Sequence, residues 1–319
     1  MNVQLACASH SPLMDFPGRV TDAVRDVQRA LADRAEAIRA FDPELVILFG
    51  TDHYGGQQMA CMPCFCVGRA ATSLDDVGGS PGRLDVPAEH SAALLDQLRR
   101  SGIDAAWSHE MEVDHGFSHA LLELCGGVDA YPVVPVFIDA IAPPFVPFAR
   151  SRRLGEVVGS WARELDARLL ILGTGGLSHH PAIFFPPVDA APAEFRPYLT
   201  FGERQRAMPR TEWMARIEQA HRDVAPHLAA DDIDLEALHI HEDWDRDFLD
   251  LLCGGKLEQV DAWEPSDLAE RVGIGTVEIH SWIAACAAAD AAGCHAPEVG
   301  FYAPVPEFGI GFGLLHARD

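Results

Sequence analysis

Three apolar runs in this chain stop abruptly at glycine, small or polar residues and then reach a histidine. Val3-Gln4-Leu5-Ala6-Cys7-Ala8 leads into Ser9-His10, and Leu45-Val46-Ile47-Leu48-Phe49-Gly50 leads into Thr51-Asp52-His53. Leu169-Leu170-Ile171-Leu172 leads into Gly173-Thr174-Gly175-Gly176-Leu177-Ser178-His179. Short apolar runs bounded by turn residues read as buried strands, and the carboxyl ends of such strands are where α/β folds gather chemistry. Val133–Ile138 is equally β-like, although Pro135 within it points to an edge or a bulge, because proline donates no ladder hydrogen bond. A further short strand is expected over 62–67.

Between the strands the apolar period changes to that of a helix. Val20, Val24, Val27 and Leu31 share one face while Asp22, Arg25, Asp26 and Arg29 take the other, which predicts a helix over about 18–40, ended by Asp42-Pro43. Similar patterns predict helices over 90–100, 118–124 and 154–165. This alternation predicts an α/β fold: a central mostly parallel or mixed sheet flanked by helices. Residues 181–197, rich in Pro, Phe and Ala, read as a long loop and a possible lid. The C-terminal part is expected to be helical, over 211–224, 244–252, 265–272 and from Thr276, where Ile279, Trp282, Ile283 and Cys286 fall on one face. No repeat, low-complexity tract or linker divides the chain, so 1–319 is expected to be one catalytic domain.

Composition narrows the function classes. The 319 residues are 48% hydrophobic and 23% charged, enough for a sizeable core. The formal charge of −24 repels phosphate backbones and anionic bilayers, so neither nucleic acid nor a membrane surface is expected as a partner. No apolar run approaches the roughly 18 residues of a membrane span, and the first residues lack a signal-peptide pattern, so the expected location is the cytoplasm. The eight cysteines are scattered and mostly lie within apolar stretches, which suits reduced thiols. Cys61, Cys64 and Cys66 resemble a soft-metal ligand set, but with no second CxxC they read more simply as a cysteine-rich strand.

Fifteen histidines remain to be sorted. His90, His221, His227, His239, His241 and His295 lie in polar or helical surroundings and read as structural. His10, His53, His115 and His179 each sit where apolar sequence gives way to small or polar residues. Imidazole serves both as metal ligand and as proton carrier near neutral pH, and a non-haem Fe(II) site uses two histidines and one carboxylate while leaving positions open for substrate and O2. Spacing alone does not single out that carboxylate among 48 acidic residues. Glu278, at the start of the last helix and four residues before Trp282, stands out, although an acid in a first helical turn also simply complements the helix dipole. Asp52 and Asp114, each preceding a candidate histidine, either orient it or cap turns. No Walker loop, GxSxG elbow or HExxH helix competes.

Taken together, Ser9-His10-Ser11-Pro12, Thr51-Asp52-His53-Tyr54, Val113-Asp114-His115-Gly116 and Gly173-Thr-Gly-Gly-Leu-Ser178-His179 resemble the class III (LigB-type) extradiol ring-cleavage dioxygenases. Phe41–Phe49, Met62–Gly68, Val133–Ile138 and Pro306–Gly313 extend the resemblance over nearly the whole chain. It implies that His10, His53 and Glu278 bind Fe(II), that His179 is the base taking a catechol proton, and that His115 is the proton donor. It further implies a 3-substituted catechol and O2 as substrates, such as 2,3-dihydroxyphenylpropionate or 2,3-dihydroxycinnamate, and assembly as a homo-oligomer. Asp52, Asp114 and His180 are candidates for support around the ligands. His180 departs from the family pattern, which has glutamine there, and the segment 183–211 matches poorly; an arginine from 196–210 is the candidate for holding a side-chain carboxylate. The alternatives are the same cleavage on another catechol, a zinc hydrolase or lyase on the same scaffold, and a binding protein that keeps the fold.

Overall fold

A computed structural model describes residues 2–182, 184–205, 208–230 and 233–318, apart from the side chains of 204 and 205. In chain order its strands are β1 (Val3–Ala8), β2 (Leu45–Gly50), β3 (Phe65–Gly68), β4 (Ala71–Ser73), β5 (Gly82–Arg83), β6 (Ala106–Ser108), β7 (Met111–Val113), β8 (Val133–Ile138), β9 (Leu169–Thr174), β10 (Glu298–Val305) and β11 (Ile310–Arg318). Eight of them form one mixed sheet in the order β10-β11-β1-β9-β2-β8-β3-β6, and β5-β4-β7 form a small second sheet. The middle of the large sheet, β1-β9-β2-β8, is parallel. Three neighbouring strands therefore present their carboxyl ends, with His10, His179 and His53 just beyond them, along the same edge.

Strand alternation divides the core between the two faces of the sheet. Leu5, Cys7, Ile47, Phe49 and Ile171 face one apolar cluster, while Ala6, Ala8, Val46, Leu48, Leu170 and Leu172 face the other. Both faces are covered, so the central strands read as continuous apolar runs rather than alternating ones.

The helices are α1 (Asp22–Phe41), α2 (Ala88–Arg100), α3 (His115–Ala120), α4 (Phe148–Ala162), α5 (Arg196–Phe201), α6 (Arg210–Leu228), α7 (Glu242–Cys253), α8 (Pro265–Arg271) and α9 (Ile279–Ala292). The first helix starts later than its apolar pattern, because Thr21 caps it by accepting a hydrogen bond from the Val24 amide. α9 is buried nearly all round rather than along a single face. Its alanines explain why: a Cβ at Gly155 or Gly159 of α4 would lie 2.2 or 2.1 Å from the Ala284 or Ala288 carbonyl oxygen, so α4 meets α9 backbone to backbone while α9 also packs on the sheet. That contact fixes the start of α9, and with it Glu278.

Two expectations need correction. Pro135 lies in β8 between β2 and β3, not at an edge or a bulge. It is tolerated there because pairing with β3 stops at Val67–Val136, and the Pro135 ring fills the space beside Gly68, where a Cβ would come within 2.9 Å of its Cγ. The chain also returns to strand after its last helix: β10 and β11 form a hairpin whose second strand pairs antiparallel with β1. Among the described residues no helix is long and apolar enough to cross a membrane. The cysteines are free; Cys66 is buried in β3, Cys61 and Cys64 are exposed, and among the described residues no cysteine belongs to a group that could hold a metal.

Candidate metal and catalytic site

Glycines determine how closely the strand ends approach one another. Gly175 has φ 149°, and a Cβ on it would sit 2.8 Å from Glu278 Cβ, so only glycine lets the end of β9 pass this carboxylate. Gly176 and Gly275 flank the His179 imidazole, and a Cβ on either would reach within 2.2 Å of a ring atom. The glycines after β9 thus form a slot for one ring.

Around that slot the candidate residues converge. Glu278 is wholly buried; its Oε1 is 3.2 Å from His53 Nε2 and 3.6 Å from His179 Nε2, and its Oε2 is 3.6 Å from His10 Nε2. The Gly176 amide donates to Oε2 at 2.9 Å. His53 stacks on His115 with ring centroids 4.2 Å apart, and His10 meets both edge-on at 5.4 and 5.5 Å. Burial by itself disfavours an ionised Glu278, but the neighbouring His53, His179 and His10 hold it well below the usual carboxylate range. Burial likewise pushes His53 down, yet Asp114 and Glu278 outweigh it and raise it well above an ordinary imidazole.

The outer nitrogens are anchored one by one. His10 Nδ1 is 2.8 Å from Thr174 Oγ1, at the end of β9. His179 Nδ1 lies 2.8 Å from the Leu177 carbonyl, which can only accept, so Nδ1 carries the proton and Nε2 keeps its lone pair when the ring is neutral. His115 Nδ1 is 2.5 Å from Asp76 Oδ2, and its Nε2 is buried without a partner. Burial, helped by His53, pushes His115 down to about 3, and burial with Asp114 raises Asp76, so the two together resist carrying a net charge. Asp114 accepts the His53 amide at 2.5 Å and the Gly116 amide at 2.9 Å, and so ties the start of α3 to the end of β2. Asp52 accepts the Gly56 and Gln57 amides at 2.9 and 3.0 Å and closes a turn. His180 is exposed at the cavity wall, where its Nδ1 accepts the Ile274 amide at 3.3 Å.

Two donors bound at right angles to one metal, each at about 2.1 Å, sit about 3 Å apart. The separations of Glu278 from His10 and His53 are close to that, and two imidazoles with one ionised carboxylate form a donor set suited to non-haem Fe(II). Ligand atoms of His10, His53 and His115 also lie within 4.8 Å of one another, so a second grouping, of three imidazoles, is present.

A cavity of about 270 Å³ opens beside these groups, with His10, His53, His115 and His179 in its lining. Phe184, Phe185 and Phe308 make much of the rest, and the expected loop after Pro181 contributes the first two. The Phe185 ring lies 5.0 Å from His53 and 5.8 Å from His115. No lysine, arginine, aspartate or glutamate lines the cavity among the described residues. Arg196 is occupied by the Ala191 and Asp189 carbonyls, and Arg210 makes a two-pronged pair with Glu112. The Arg204 side chain and Arg206 lie outside the described residues.

Several contributors have no clear signal in the sequence. Asp76 sits in a Gly/Asp-rich connection and is brought to His115 only by the fold. His119, buried one turn after His115 with its ring centroid 6.2 Å away, does have a signal in its i, i+4 spacing. His221, read as structural, is buried and stacks on Phe184 at 3.9 Å behind the cavity. His239, also read as structural, lines the cavity itself.

The chain thus places a histidine–carboxylate cluster at the ends of the parallel strands of a mixed α/β sheet. Residues 4–313 match the family described as the catalytic LigB subunit of aromatic ring-opening dioxygenase, and the chain belongs to that family. Within it, the chain is similar to the 2,3-dihydroxyphenylpropionate/2,3-dihydroxicinnamic acid 1,2-dioxygenases. It is 39% identical to number 2 of these from Dechloromonas aromatica (strain RCB), over 99% of this chain and 98% of that protein. It is 41% identical to that of Klebsiella pneumoniae subsp. pneumoniae, over 99% of both, and 38% identical to that of Rhodococcus jostii (strain RHA1), over 99% and 98%.

Proposed function

We propose that this chain is an Fe(II)-dependent extradiol dioxygenase that opens a 3-substituted catechol beside its hydroxyls with O2. The substrate is 2,3-dihydroxyphenylpropionate or 2,3-dihydroxycinnamate, in keeping with the names of the similar proteins, and the product is a 2-hydroxy-6-oxo-dienedioate. The observation that carries this reading is the meeting of His10, His53 and the differently anchored imidazoles of His179 and His115 at one end of one cavity, with the buried Glu278 carboxylate within 3.2–3.6 Å of His10, His53 and His179.

His10 Nε2, His53 Nε2 and the Glu278 carboxylate would hold the metal. Fe(II) there supplies Lewis acidity and open positions for the two substrates. His179 takes a catechol hydroxyl proton at Nε2, the nitrogen left free by the Leu177 carbonyl. His115 delivers a proton from Nε2 to the reacting oxygen as the ring opens, with Asp76 holding the opposite nitrogen. Phe185 covers the His53–His115 stack and keeps water from it. The family match over 4–313 supports a single catalytic domain. Cytoplasmic location and a homo-oligomeric state belong to the same reading, and sedimentation of the purified protein tests the second.

Anaerobic loading with Fe(II), followed by O2 uptake on a panel of catechols, tests this reading. A yellow ring-fission product with stoichiometric O2 consumption is expected; no uptake on any catechol overturns it. One observation favours a second reading: the three-imidazole grouping of His10, His53 and His115 suits zinc with a bound water, as in hydrolases and lyases. Metal analysis of protein purified without added metal separates the two, since zinc that iron cannot replace with gain of O2 uptake supports the hydrolytic one.

A further inference from the structure

The cavity has a polar feature that the ring-opening chemistry leaves unused. His180 and His239 both line it, and their rings stack with centroids 4.6 Å apart and planes 26° apart. His180 Nδ1 accepts the Ile274 amide, so the neutral ring carries its proton on Nε2 and offers a donor there. Partial desolvation at the cavity wall, with His239 and His179 nearby, lowers the His180 pKa and favours that neutral form.

His239 is held against its own preferences. Its backbone is left-handed, φ 56°, a conformation that is costly for any residue with a Cβ. Its Nδ1 is buried with no hydrogen-bond partner in the protein, which adds the desolvation penalty of a polar atom. The fold bears both costs and keeps this ring at the cavity wall.

The rest of the lining narrows what that group is. Phe184, Phe185, Val224, Leu228 and Leu238 suit an aromatic ring and a short methylene chain, but none can receive a charged end. No lysine or arginine is among the described lining residues, and the Ser11 hydroxyl is already donated to the Phe308 carbonyl at 2.8 Å, so the side-chain donors left for an acidic group entering this cavity are imidazoles. His10, His53, His115 and His179 are committed around Glu278. His180 and His239 remain.

We propose that His180 and His239 form the subsite for the carboxylate at the end of the substrate's side chain, an inference that rests on the catechol reading above. A hydrogen bond from imidazole N–H to a carboxylate is charge-assisted and stronger than one between neutral groups. Losing one such bond therefore weakens binding by roughly tenfold or more.

The test compares 2,3-dihydroxyphenylpropionate with 3-propylcatechol, which has the same ring and no carboxylate, in wild type, His180→Ala and His239→Gly. Glycine accepts the left-handed backbone at 239, so that variant removes the ring without adding strain. Two readouts are taken: KM and kcat of the Fe(II)-loaded enzyme, and anaerobic binding of both catechols to the metal-free protein by calorimetry. The expected result is a tenfold or larger rise in KM and Kd for the carboxylate substrate in each variant, with kcat and both 3-propylcatechol constants within about twofold of wild type. Equal losses for both catechols, or none for either, overturn the subsite, as does wild-type protein that binds the two alike. If wild type turns over neither catechol yet binding still discriminates through these residues, the oxygenase reading fails while the subsite stands.

Discussion

Gly275 stands against the His179 ring with no space for a methyl group between them: a Cβ there would lie 2.2 Å from Nε2. Because Gly176 closes the opposite side just as tightly, the imidazole cannot swing away, and its free nitrogen stays directed at the Glu278 end of the cavity. A base that must meet a hydroxyl within hydrogen-bond reach gains from such confinement, since small displacements of catalytic groups are costly in rate.

Gly275→Ala is accordingly expected to lower kcat about 100-fold or more by displacing the ring. The protein should remain folded, with an overpacking loss of about 1–3 kcal/mol seen in thermal unfolding. Activity within tenfold of wild type would show that the slot does not position the base.

Ligand and proton-transfer roles separate by metal content. His53→Ala and Glu278→Ala should lose bound iron, while His115→Ala and His179→Ala should retain it and lose about 100- to 10,000-fold in kcat. Iron analysis beside O2 uptake reads both. An equal fall in iron across all four would break the division of roles, and loss of zinc with His115→Ala would instead support the three-imidazole grouping.

Asp76→Asn replaces the carboxyl group at His115 Nδ1 with an amide of the same shape. Expected is a roughly 10- to 100-fold fall in kcat at nearly constant KM, because Asp76 acts on the ring and not on the substrate. A rise in KM with unchanged kcat would place Asp76 in substrate binding.

Asp139, just past β8, is the clearest source of pH-dependent stability. Burial raises its pKa from 3.8 to about 7, opposed only by the Ala142 amide. The folded state therefore holds this proton more tightly than the unfolded chain, so the stability it contributes is present below pH 4 and is lost as pH rises toward 7. Asparagine does not titrate, so Asp139→Asn should become steadily more stable relative to wild type between pH 4 and 7. The slope of that difference is at most about 1.4 kcal/mol for each tenfold fall in proton concentration. Parallel curves of unfolding free energy against pH for the two proteins would exclude this.

The strands, most helices and the four candidate histidines are legible in the sequence because each rests on a local change of pattern, whereas Glu278 takes its proposed role from the family resemblance and not from spacing. An apolar run that stops at Ser9, Thr51 or Gly173 is visible wherever those strands lie in the sheet. Their neighbourhood is not local: β9 inserts between β1 and β2, and nothing in the period of Leu169–Thr174 says so. The same limit hides Asp76 and His239, which sit in irregular segments where no periodicity exists to be broken. Pro135 misleads for a related reason, since whether a missing N–H matters depends on where the neighbouring strand stops. The final hairpin is not visible because Glu298, Val299, Gly300 and Phe301 neither alternate cleanly nor form an apolar run, and a register shift falls between Val299 and Phe301.

The order of strands also sets when the centre can come into being. His10 and His53 are made early, yet β1 and β2 do not touch; β9, more than a hundred residues later, must be slotted between them. Glu278 arrives later still, docked by the backbone contact of α4 with α9. Such sequence-distant parallel pairing is slow, because the closure entropy comes before any reward from contacts. A growing chain thus exposes two of the proposed ligands long before the third is in place, and on that reading metal capture would be a late event, available as a reporter of finished folding.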